Sequence, residues 1–271
     1  MVTALARLSA PVLYGQHTAM AEELPQWFGQ PWTRWLGAAV DTVVPRLATA
    51  SVALSEAGAE TLPAGSGIAP PGVDLGDLIG GDAARARSRW GLGSGPWVAY
   101  VGNTDPYQEV PRFIDAMRSV RGASTLLVTS SPAAPWRQAM HRAGVKHAVV
   151  VGDADFAQQR DALAVASIAV CPRRRCRGFP IKLLNQLGMG IPTVCAPGSA
   201  RPIAGVVVPT DDSIDALASA IQHLVDHPER RRELSSAAIQ DVRANWTWDA
   251  RAQDIEAVYR RVIATDRDKA R

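Results

Sequence analysis

Residues 168–190 read IAVCPRRRCRGFPIKLLNQLGMG, and this stretch contains the pattern that decides the fold. Its first four residues are apolar and predict a short buried strand. The glycine-containing loop behind them leads to a helix that begins near Pro180. Proline is favoured at a helix start because its missing N–H has no helical partner there. Strand, loop and helix in this order form the repeating unit of a parallel α/β sheet.

The same unit recurs along the chain from Trp97 onward. Strands are predicted at Trp97–Val101, Thr125–Thr129, Ala148–Val151, Ile168–Cys171, Thr193–Ala196 and Gly205–Val208, and helices at Val110–Val120, Ala134–Ala143, Asp155–Ala166 and Ile181–Met189. Each strand is apolar throughout, which is typical of strands buried on both faces. We therefore predict an α/β fold with a doubly wound, Rossmann-like parallel sheet, whose ligands bind at the carboxyl ends of the strands.

The rest of the chain predicts a smaller first domain and a C-terminal helix. Residues 1–65 show a loop-rich start, a helix at Leu36–Val44 and one strand within Leu47–Leu54, which is little for a domain core. Pro70, Pro71 and Gly72 mark a linker. We expect a partial N-terminal α/β domain at residues 1–72, the Rossmann-like domain at 73–246 and a C-terminal helix at 247–271.

The composition excludes several classes of protein. With 47% hydrophobic and 20% charged residues the chain is globular, and a net charge of +3 is too small to indicate nucleic-acid binding. No apolar stretch reaches the roughly 18 residues of a membrane span, and Met1–Ala10 lack the pattern of a signal peptide. The three cysteines indicate a reducing compartment. We expect a cytoplasmic protein, with a peripheral contact at the inner membrane face left open.

The junction of loop and helix near Pro180 favours an anion. The free N–H groups and the dipole of a helix start attract phosphate, and Lys182 lies in the first turn. Several arginines stand in the preceding loop, namely Arg173, Arg174, Arg175 and Arg177. A solvated surface lysine is the ordinary alternative, and a basic loop also suits an acidic lipid headgroup or a protein partner. On the helix itself, leucines 183, 184 and 187 form the core face, and Lys182, Asn185, Gln186 and Met189 lie opposite.

Several motifs together resemble a known family. Residues 178–185, GFPIKLLN, match letter for letter a bacterial branch of the GT-B-fold retaining glycosyltransferases, the group 1 or family four type. Similar in the same order are PGVD at 71–74, GNTDPYQ at 102–108, GSA at 198–200, and DHPE at 226–229 followed by WTW at 246–248 and Tyr259. The resemblance extends from residue 11 to about 263. It implies transfer of a sugar from a nucleotide-diphosphate donor to an acceptor hydroxyl, with retention of configuration.

The resemblance also implies site residues, position by position. Donor binding falls on Gly102, Asn103, Arg173, Arg177, Gly178, Phe179, Lys182, Asn185, Gly198 and Ser199. Two of these depart from the family, whose glutamates hold the donor sugar and the ribose at positions 177 and 185. Asn185 can still bind a diol, whereas Arg177 cannot accept a hydrogen bond. Tyr107 and Gln108 stand where the family has a basic pair.

His17, within YGQHT at 14–18, resembles a loop histidine near the transferred sugar and is the catalytic candidate. A structural histidine is the alternative reading. We expect no metal site and no cofactor besides the donor substrate, because no Asp-x-Asp loop stands ahead of the arginine loop.

The family resemblance further implies that residues 247–271 pack back on the first domain, whose early strands are not found in residues 1–72. Three explanations stay open: a truncated or mis-started reading frame, a partner chain or oligomer that supplies the strands, and a catalytically silent nucleotide-sugar-binding module. A nucleotide-sugar epimerase on the same fold is a further alternative. The acceptor stays open between a glycan, a lipid-linked sugar and a small molecule.

Overall fold

The computed structural model describes residues 10–200, 203 and 205–269, with side chains as far as Ala264. Most of the stretch examined for a signal peptide, residues 1–9, lies outside the described residues. The chain divides into two compact units. Unit 1 comprises Met1–Gly72, Cys176–Phe179 and Trp246–Arg271, and unit 2 comprises Val73–Arg175 and Pro180–Asn245.

The elements of the first third of the chain are β1 (Leu13–Gln16), α1 (Met20–Phe28), α2 (Thr33–Leu47), β2 (Ala50–Ala53), α3 (Glu56–Ala59), β3 (Gly67–Ile68), α4 (Leu75–Leu78) and α5 (Ala83–Trp90). They are followed by β4 (Trp97–Val101), a 3₁₀ turn (Pro106–Gln108), α6 (Val110–Met117), β5 (Ser124–Val128), α7 (Ala134–Arg142), β6 (Ala148–Val151), α8 (Phe156–Val165), β7 (Ile168–Cys171) and α9 (Ile181–Gly188). The last elements are β8 (Thr193–Cys195), α10 (Pro197–Ala200), β9 (Val208–Pro209), α11 (Ile214–Asp226), α12 (Pro228–Asn245) and α13 (Trp248–Lys269).

Among the described residues, unit 2 contains a six-stranded sheet in the order β6-β5-β4-β7-β8-β9. All neighbouring strands are parallel. The chain builds outward on one side of β4 and then returns to build on the other, so the strand order reverses between β4 and β7. Such a reversal opens a crevice at the carboxyl ends of these two central strands. The predicted doubly wound parallel sheet is confirmed.

Helices cover both faces of this sheet, because successive residues of a strand point to opposite sides. Val98 and Tyr100 of β4 belong to a core shared with α6 and α11. Ala99 and Val101 belong to a second core shared with α5 and α8. Burial on both faces explains why β4 reads as one continuous apolar run.

The predicted bounds of β4, β6 and β7 agree with the structure residue by residue. The largest difference among the strands is at β9, which was predicted at Gly205–Val208 and begins only at Val208. Val206 and Val207 lie in the turn before it and are buried there. Their apolar character therefore reflects burial in a turn and not pairing in a strand.

Unit 1 is built on a second parallel sheet, which has three strands in the order β1-β2-β3 within the described part of the chain. The prediction of a loop-rich start and a single strand is therefore wrong. Strand β1 has the sequence LYGQ, and only its last residue, Gln16, is fully buried. A strand that is mostly not buried does not need a continuous apolar run, so the sequence does not reveal it. Val52 of β2 and Ala69 pack with Val258 and Val262 of α13, and these form the core of the unit.

Helices α1 and α2 of unit 1 are held together at two points. A Cβ atom on Gly37 would lie 2.4 Å from the Met20 carbonyl, so only glycine fits at this crossing. The Asp41 carboxylate accepts the N–H groups of Met20 at 3.0 Å and Ala21 at 2.9 Å, which satisfies two donors at the start of α1. The far end of this pair exposes large aromatic side chains, namely Trp27, Phe28, Trp32 and Trp35.

Candidate functional site

The loops that follow β4, β7 and β8 all belong to the carboxyl edge of the six-stranded sheet. Pairing of Val98 with Ile168 and of Cys171 with Cys195 brings the three strands side by side. The loops after them carry most of the residues predicted to bind the donor. Because the strand order reverses here, this edge is the expected ligand position of a doubly wound sheet.

Lys182 is the best-defined cation of this edge. Its Nζ donates hydrogen bonds to Gln108 Oε1 at 2.6 Å and to Tyr100 Oη at 2.8 Å. Gly102 makes room for the side chain, because a Cβ atom there would lie 3.2 Å from Nζ. Gly102 also has a φ of 141°, which an L-residue with a side chain rarely adopts. The lysine is therefore positioned by its neighbours and is not a freely solvated side chain.

Two tyrosines frame the loop behind β4. Tyr100 is buried, which raises its pKa well above the ordinary value and keeps the hydroxyl protonated. That hydroxyl donates to the Asn103 carbonyl at 2.5 Å while it accepts from Lys182. The Asn103 amide donates to Asp105 and to the Tyr107 hydroxyl. Burial also raises the pKa of Tyr107. The loop thus has a defined shape before any ligand binds.

The arginines of the loop after β7 differ in how their charge is used. Arg173 lies over the Tyr107 ring at 4.7 Å and donates to the Arg175 carbonyl. Arg174 forms an ion pair of 2.7 Å with Glu109, which also accepts the Arg174 N–H. Glu109 has a left-handed φ of 53°, a conformation that costs about 1–3 kcal/mol in a residue with a side chain. Arg174 is therefore charge-compensated, and Arg173 is the arginine held next to the β4 loop.

The short helix α10 interlocks with the loop after β7. A Cβ atom on Gly198 would overlap the Arg174 carbonyl oxygen, at 1.9 Å, so no larger residue fits without a backbone shift. The Ser199 hydroxyl is buried and donates to the Arg173 carbonyl at 2.8 Å. Gly198 and Ser199 therefore fix the arginine loop through the backbone, and the Ser199 hydroxyl is used for that bond.

The ends of β7 and β8 carry two buried thiols, Cys171 and Cys195, which are free. A hydrogen bond from Cys195, together with the nearby charges of Lys182 and Arg173, lowers the pKa of Cys171 to about 6. Burial raises the pKa of Cys195 above its ordinary value.

Four predicted site residues belong to unit 1. Arg177 forms a 2.6 Å ion pair with Glu22, and its carbonyl accepts a hydrogen bond from the Ser55 hydroxyl at 2.6 Å. Phe179 is buried against the Trp246 ring. Gly178 lies so close to the His17 carbonyl that a Cβ atom would approach it to 2.2 Å, and the His17 side chain is exposed. The four arginines therefore do not act together, because Arg174 and Arg177 each have a carboxylate partner.

Helix α9 places its leucines 183, 184 and 187 in the core, as predicted. The prediction that Gln186 shares the outward face with Lys182 and Asn185 is wrong, since Gln186 is only 1% exposed. A helical wheel treats the helix alone, whereas Leu78 of α4 and residues of α8 border this side of α9. Asn185 stays partly exposed beside it.

Sequence reasoning missed three residues that shape this edge: Tyr100, Gln108 and Glu109. Tyr100 was counted only as part of an apolar strand, and Gln108 only as a departure from a basic pair. The signal that could have identified them is a tyrosine near the carboxyl end of a central strand, followed by the polar loop GNTDPYQE.

Comparison with known proteins bears on the same part of the chain. Residues 95–227 match the family described as Glycosyl transferases group 1. The matched residues contain the whole six-stranded sheet, Lys182 and the loops around it.

Two curated relatives are similar to this chain at a moderate level. A GDP-mannose-dependent alpha-(1-6)-phosphatidylinositol monomannoside mannosyltransferase of Mycobacterium tuberculosis is 27% identical over 203 residues, which cover 68% of this chain and 52% of that protein. A D-inositol 3-phosphate glycosyltransferase of Segniliparus rotundus is 27% identical over 212 residues, covering 72% of this chain and 47% of that protein. The chain thus spans about half the length of these relatives.

Solved structures show the fold. A sucrose-phosphate synthase from Thermosynechococcus elongatus has a TM-score of 0.81 at 19% identity, over 96% of this chain and 70% of that chain. HepE of Anabaena, solved in complex with UDP and glucose, has a TM-score of 0.79 at 16% identity, over 95% of this chain and 74% of that one. The chain therefore has a fold of the GT-B type. Across the residues that the structure describes, none of the helices is both long and apolar enough to cross a bilayer.

Proposed function

We propose that the protein is a glycosyltransferase that binds a nucleotide-diphosphate sugar at the carboxyl edge of its six-stranded sheet. The observation that carries this proposal is Lys182, a cation held at the start of α9 by Tyr100 and Gln108. A lysine in the first turn opposes the helix dipole, and a bound diphosphate reverses this penalty. The named activities of the relatives support the same reaction class.

The diphosphate is assigned to Lys182, Arg173 and the N–H groups at the start of α9. Negative charge grows on the leaving diphosphate as the glycosidic bond breaks, and fixed cations and N–H groups stabilise it. These groups are in place before the ligand binds, since Lys182 and Arg173 are already held by the β4 loop. The chemistry asked of them is charge stabilisation and orientation of the leaving group.

Further contacts follow from the same edge. The Asn185 amide, one turn beyond Ile181, can both donate to and accept from a ribose diol. Gly102, Asn103, Gly198 and Ser199 shape the walls around the diphosphate through their backbone. For His17, Arg177, Gly178 and Phe179, which belong to unit 1, the proposed roles are those that the family resemblance implies.

The finer features of the reaction are part of the proposal. We infer retention of anomeric configuration, which the family resemblance implies. We also infer independence of a metal ion, because the helix start and the basic side chains can stabilise the leaving diphosphate themselves. Transfer that continues at an unchanged rate in EDTA would support the second point, and loss of transfer that Mg²⁺ or Mn²⁺ restores would refute it. The acceptor class follows the relatives, which are named for inositol phosphate and a phosphatidylinositol mannoside. A lipid-linked acceptor would place the reaction at the cytoplasmic membrane face.

Calorimetry with UDP, GDP and ADP tests the donor site. Lys182→Met is expected to weaken the preferred nucleoside diphosphate by about 1.5–3 kcal/mol, the range of a charge-assisted hydrogen bond. Lys146→Met is the matched control, since Lys146 is an exposed lysine of the same unit outside this edge. Equal affinities of the two variants, or a wild-type protein that binds none of the three nucleotides, would refute the assignment.

A catalytically silent nucleotide-sugar-binding module is the second candidate, and the ion pair of Arg177 with Glu22 favours it. The family places a glutamate at position 177 to hold the donor sugar, and an ion-paired guanidinium cannot accept a sugar hydroxyl. Donor binding without transfer or hydrolysis of the donor by the 271-residue chain would support the module. Turnover by the purified monomer would establish the enzyme.

A further inference from the structure

A narrow cleft of about 70 Å³ opens in unit 2 beside the proposed diphosphate site. Helices α8 and α9 form its two sides, and the end of β4 forms its floor. Its lining includes Gly102, Lys182, Asn185, Gln186, Phe156 and Arg160. The cleft therefore begins at the lysine assigned to phosphate and continues past the asparagine assigned to ribose.

Gln186 is the unusual residue of this lining. Its side chain is buried, and neither Nε2 nor Oε1 has a hydrogen-bonding partner among the described residues. Buried polar side chains are nearly always paired, because an unpaired buried amide loses its bonds to water without compensation. A glutamine retained at such a position indicates a partner that the polypeptide itself does not supply.

Two other polar side chains of the cleft already donate hydrogen bonds to the backbone, although Arg160 Nε has no partner among the described residues. Gln159 Nε2 donates to the Ala154 carbonyl at 3.0 Å, and Arg160 donates to the carbonyls of Asp77 and Ile79. Phe156, at the mouth, is 51% exposed and offers an aromatic surface. An open donor and acceptor pair behind an exposed aromatic ring matches a nucleobase, whose edge pairs with an amide and whose faces stack.

We propose that Gln186 is a specificity-determining residue, whose carboxamide binds the edge of the donor's nucleobase in this cleft. This inference rests on the proposed function, because the base is that of the nucleoside diphosphate bound by Lys182. Phosphate contacts are the same for every nucleotide, so recognition of the base must come from groups farther along the cleft. Gln186 is the lining residue with both a donor and an acceptor unused by the described residues.

The test compares Gln186→Met, which keeps the shape and removes both hydrogen-bonding atoms, with Gln222→Met as the control, because Gln222 belongs to the same unit and does not line the cleft. Affinities for UDP, GDP, ADP and inorganic pyrophosphate are measured by calorimetry on the full chain. Gln186→Met is expected to weaken the preferred nucleoside diphosphate roughly tenfold and to reduce its advantage over the other two. Affinity for pyrophosphate, which has no base, is expected to stay the same.

Gln186→Glu gives a second test of base recognition, because a carboxylate accepts hydrogen bonds but does not donate them. It is expected to shift preference toward GDP, since the guanine edge presents two neighbouring donors, and away from UDP. Melting temperatures of the ligand-free variants separate base recognition from a structural role. Gln186→Met is expected to melt no lower than wild type, whereas an amide needed for folding would lower the melting temperature.

The results that would contradict the role of Gln186 differ from those that would contradict the donor site. If wild type binds nucleoside diphosphates and Gln186→Met leaves their affinities unchanged, Gln186 does not read the base, while the donor site stands. Equal losses for pyrophosphate and nucleotides, or equal losses in Gln222→Met, also overturn the role of Gln186. A wild-type chain that binds no nucleoside diphosphate overturns both this inference and the proposed function.

Discussion

The two sheets of the protein use the same parallel pairing and yet differ in how completely they are covered. In unit 2, β4 has its alternate residues in two separate cores, one on each face of the sheet. In unit 1, the core formed by β2 and α13 is small, and α1 and α2 expose Trp27, Phe28, Trp32 and Trp35. Burial on both faces gives unit 2 a rigid edge on which a ligand site can be built. Among the described residues of unit 1, the smaller sheet packs against the one core that β2 shares with α13.

Amide hydrogen exchange is expected to show the largest difference between the sheets. Amides of β4, β5 and β7 should exchange about a thousandfold more slowly than those of β1 to β3, or roughly 4 kcal/mol in opening free energy. The reason is the greater number of buried side chains that must separate before the central strands open. Hydrogen exchange measured by mass spectrometry on the full chain gives the rates of both sheets in one experiment. Equal protection of the two sheets would contradict the difference in stability expected between them.

A matched pair of valine truncations tests the cores directly. Val170→Ala in β7 is expected to lower the free energy of unfolding by about 2–3 kcal/mol, because Val170 is fully buried between packed helices. Val52→Ala in β2 should cost only about 1 kcal/mol, since its small core can relax around the lost methyl groups. Urea unfolding with separate probes for each unit measures both. A larger loss from Val52→Ala would show that unit 1 is the better packed.

The Asp41 carboxylate tests whether the helix pair of unit 1 has a defined structure. Asp41→Asn removes one acceptor oxygen while keeping the shape, and the loss is expected at about 1–2 kcal/mol because a helix-start N–H at Met20 or Ala21 loses its partner. Glu23→Gln in α1 is the control for charge alone, because the amide oxygen can still accept the Thr18 hydroxyl. Far-ultraviolet circular dichroism during urea unfolding reads the change, and no loss would mean that α1 is already frayed.

The ion pair of Glu22 with Arg177 is expected to give the smallest effect. Both side chains are about a third exposed, so a double-mutant cycle with Glu22→Gln and Arg177→Gln should give a coupling of about 0.2–1 kcal/mol. The pair therefore matters little for stability, and retention of the protein fold in Arg177→Glu would be expected as well. A coupling well above this range would show that the pair is more deeply buried than its exposure indicates.

The sequence predicted unit 2 well and unit 1 poorly for one physical reason. A strand buried on both faces, such as Trp97–Val101, must be apolar at each position and is visible as a run. Strand β1, with Gly15 in its middle, is defined by pairing to β2, which local sequence does not reveal. The candidate site was likewise predicted only where local sequence reveals it. Lys182 was found through a helix start and a motif, whereas its anchors Tyr100 and Gln108 are far away in sequence and meet it only in the folded chain.

The four residues Cys176–Phe179 have a consequence for any attempt to dissect this protein. They belong to unit 1, although the residues on both sides of them belong to unit 2. The polypeptide therefore passes from one unit to the other at Gly72, at Arg175, at Phe179 and at Asn245, and no single cut separates the two. A fragment of residues 73–271 would still contain residues 176–179 and 246–271, which belong to unit 1. A fragment of residues 1–72 would lack those residues. To exchange unit 2 with that of a relative, two separate segments would have to be transferred, residues 73–175 and 180–245. Arg177, Gly178 and Phe179 between them would have to stay with unit 1.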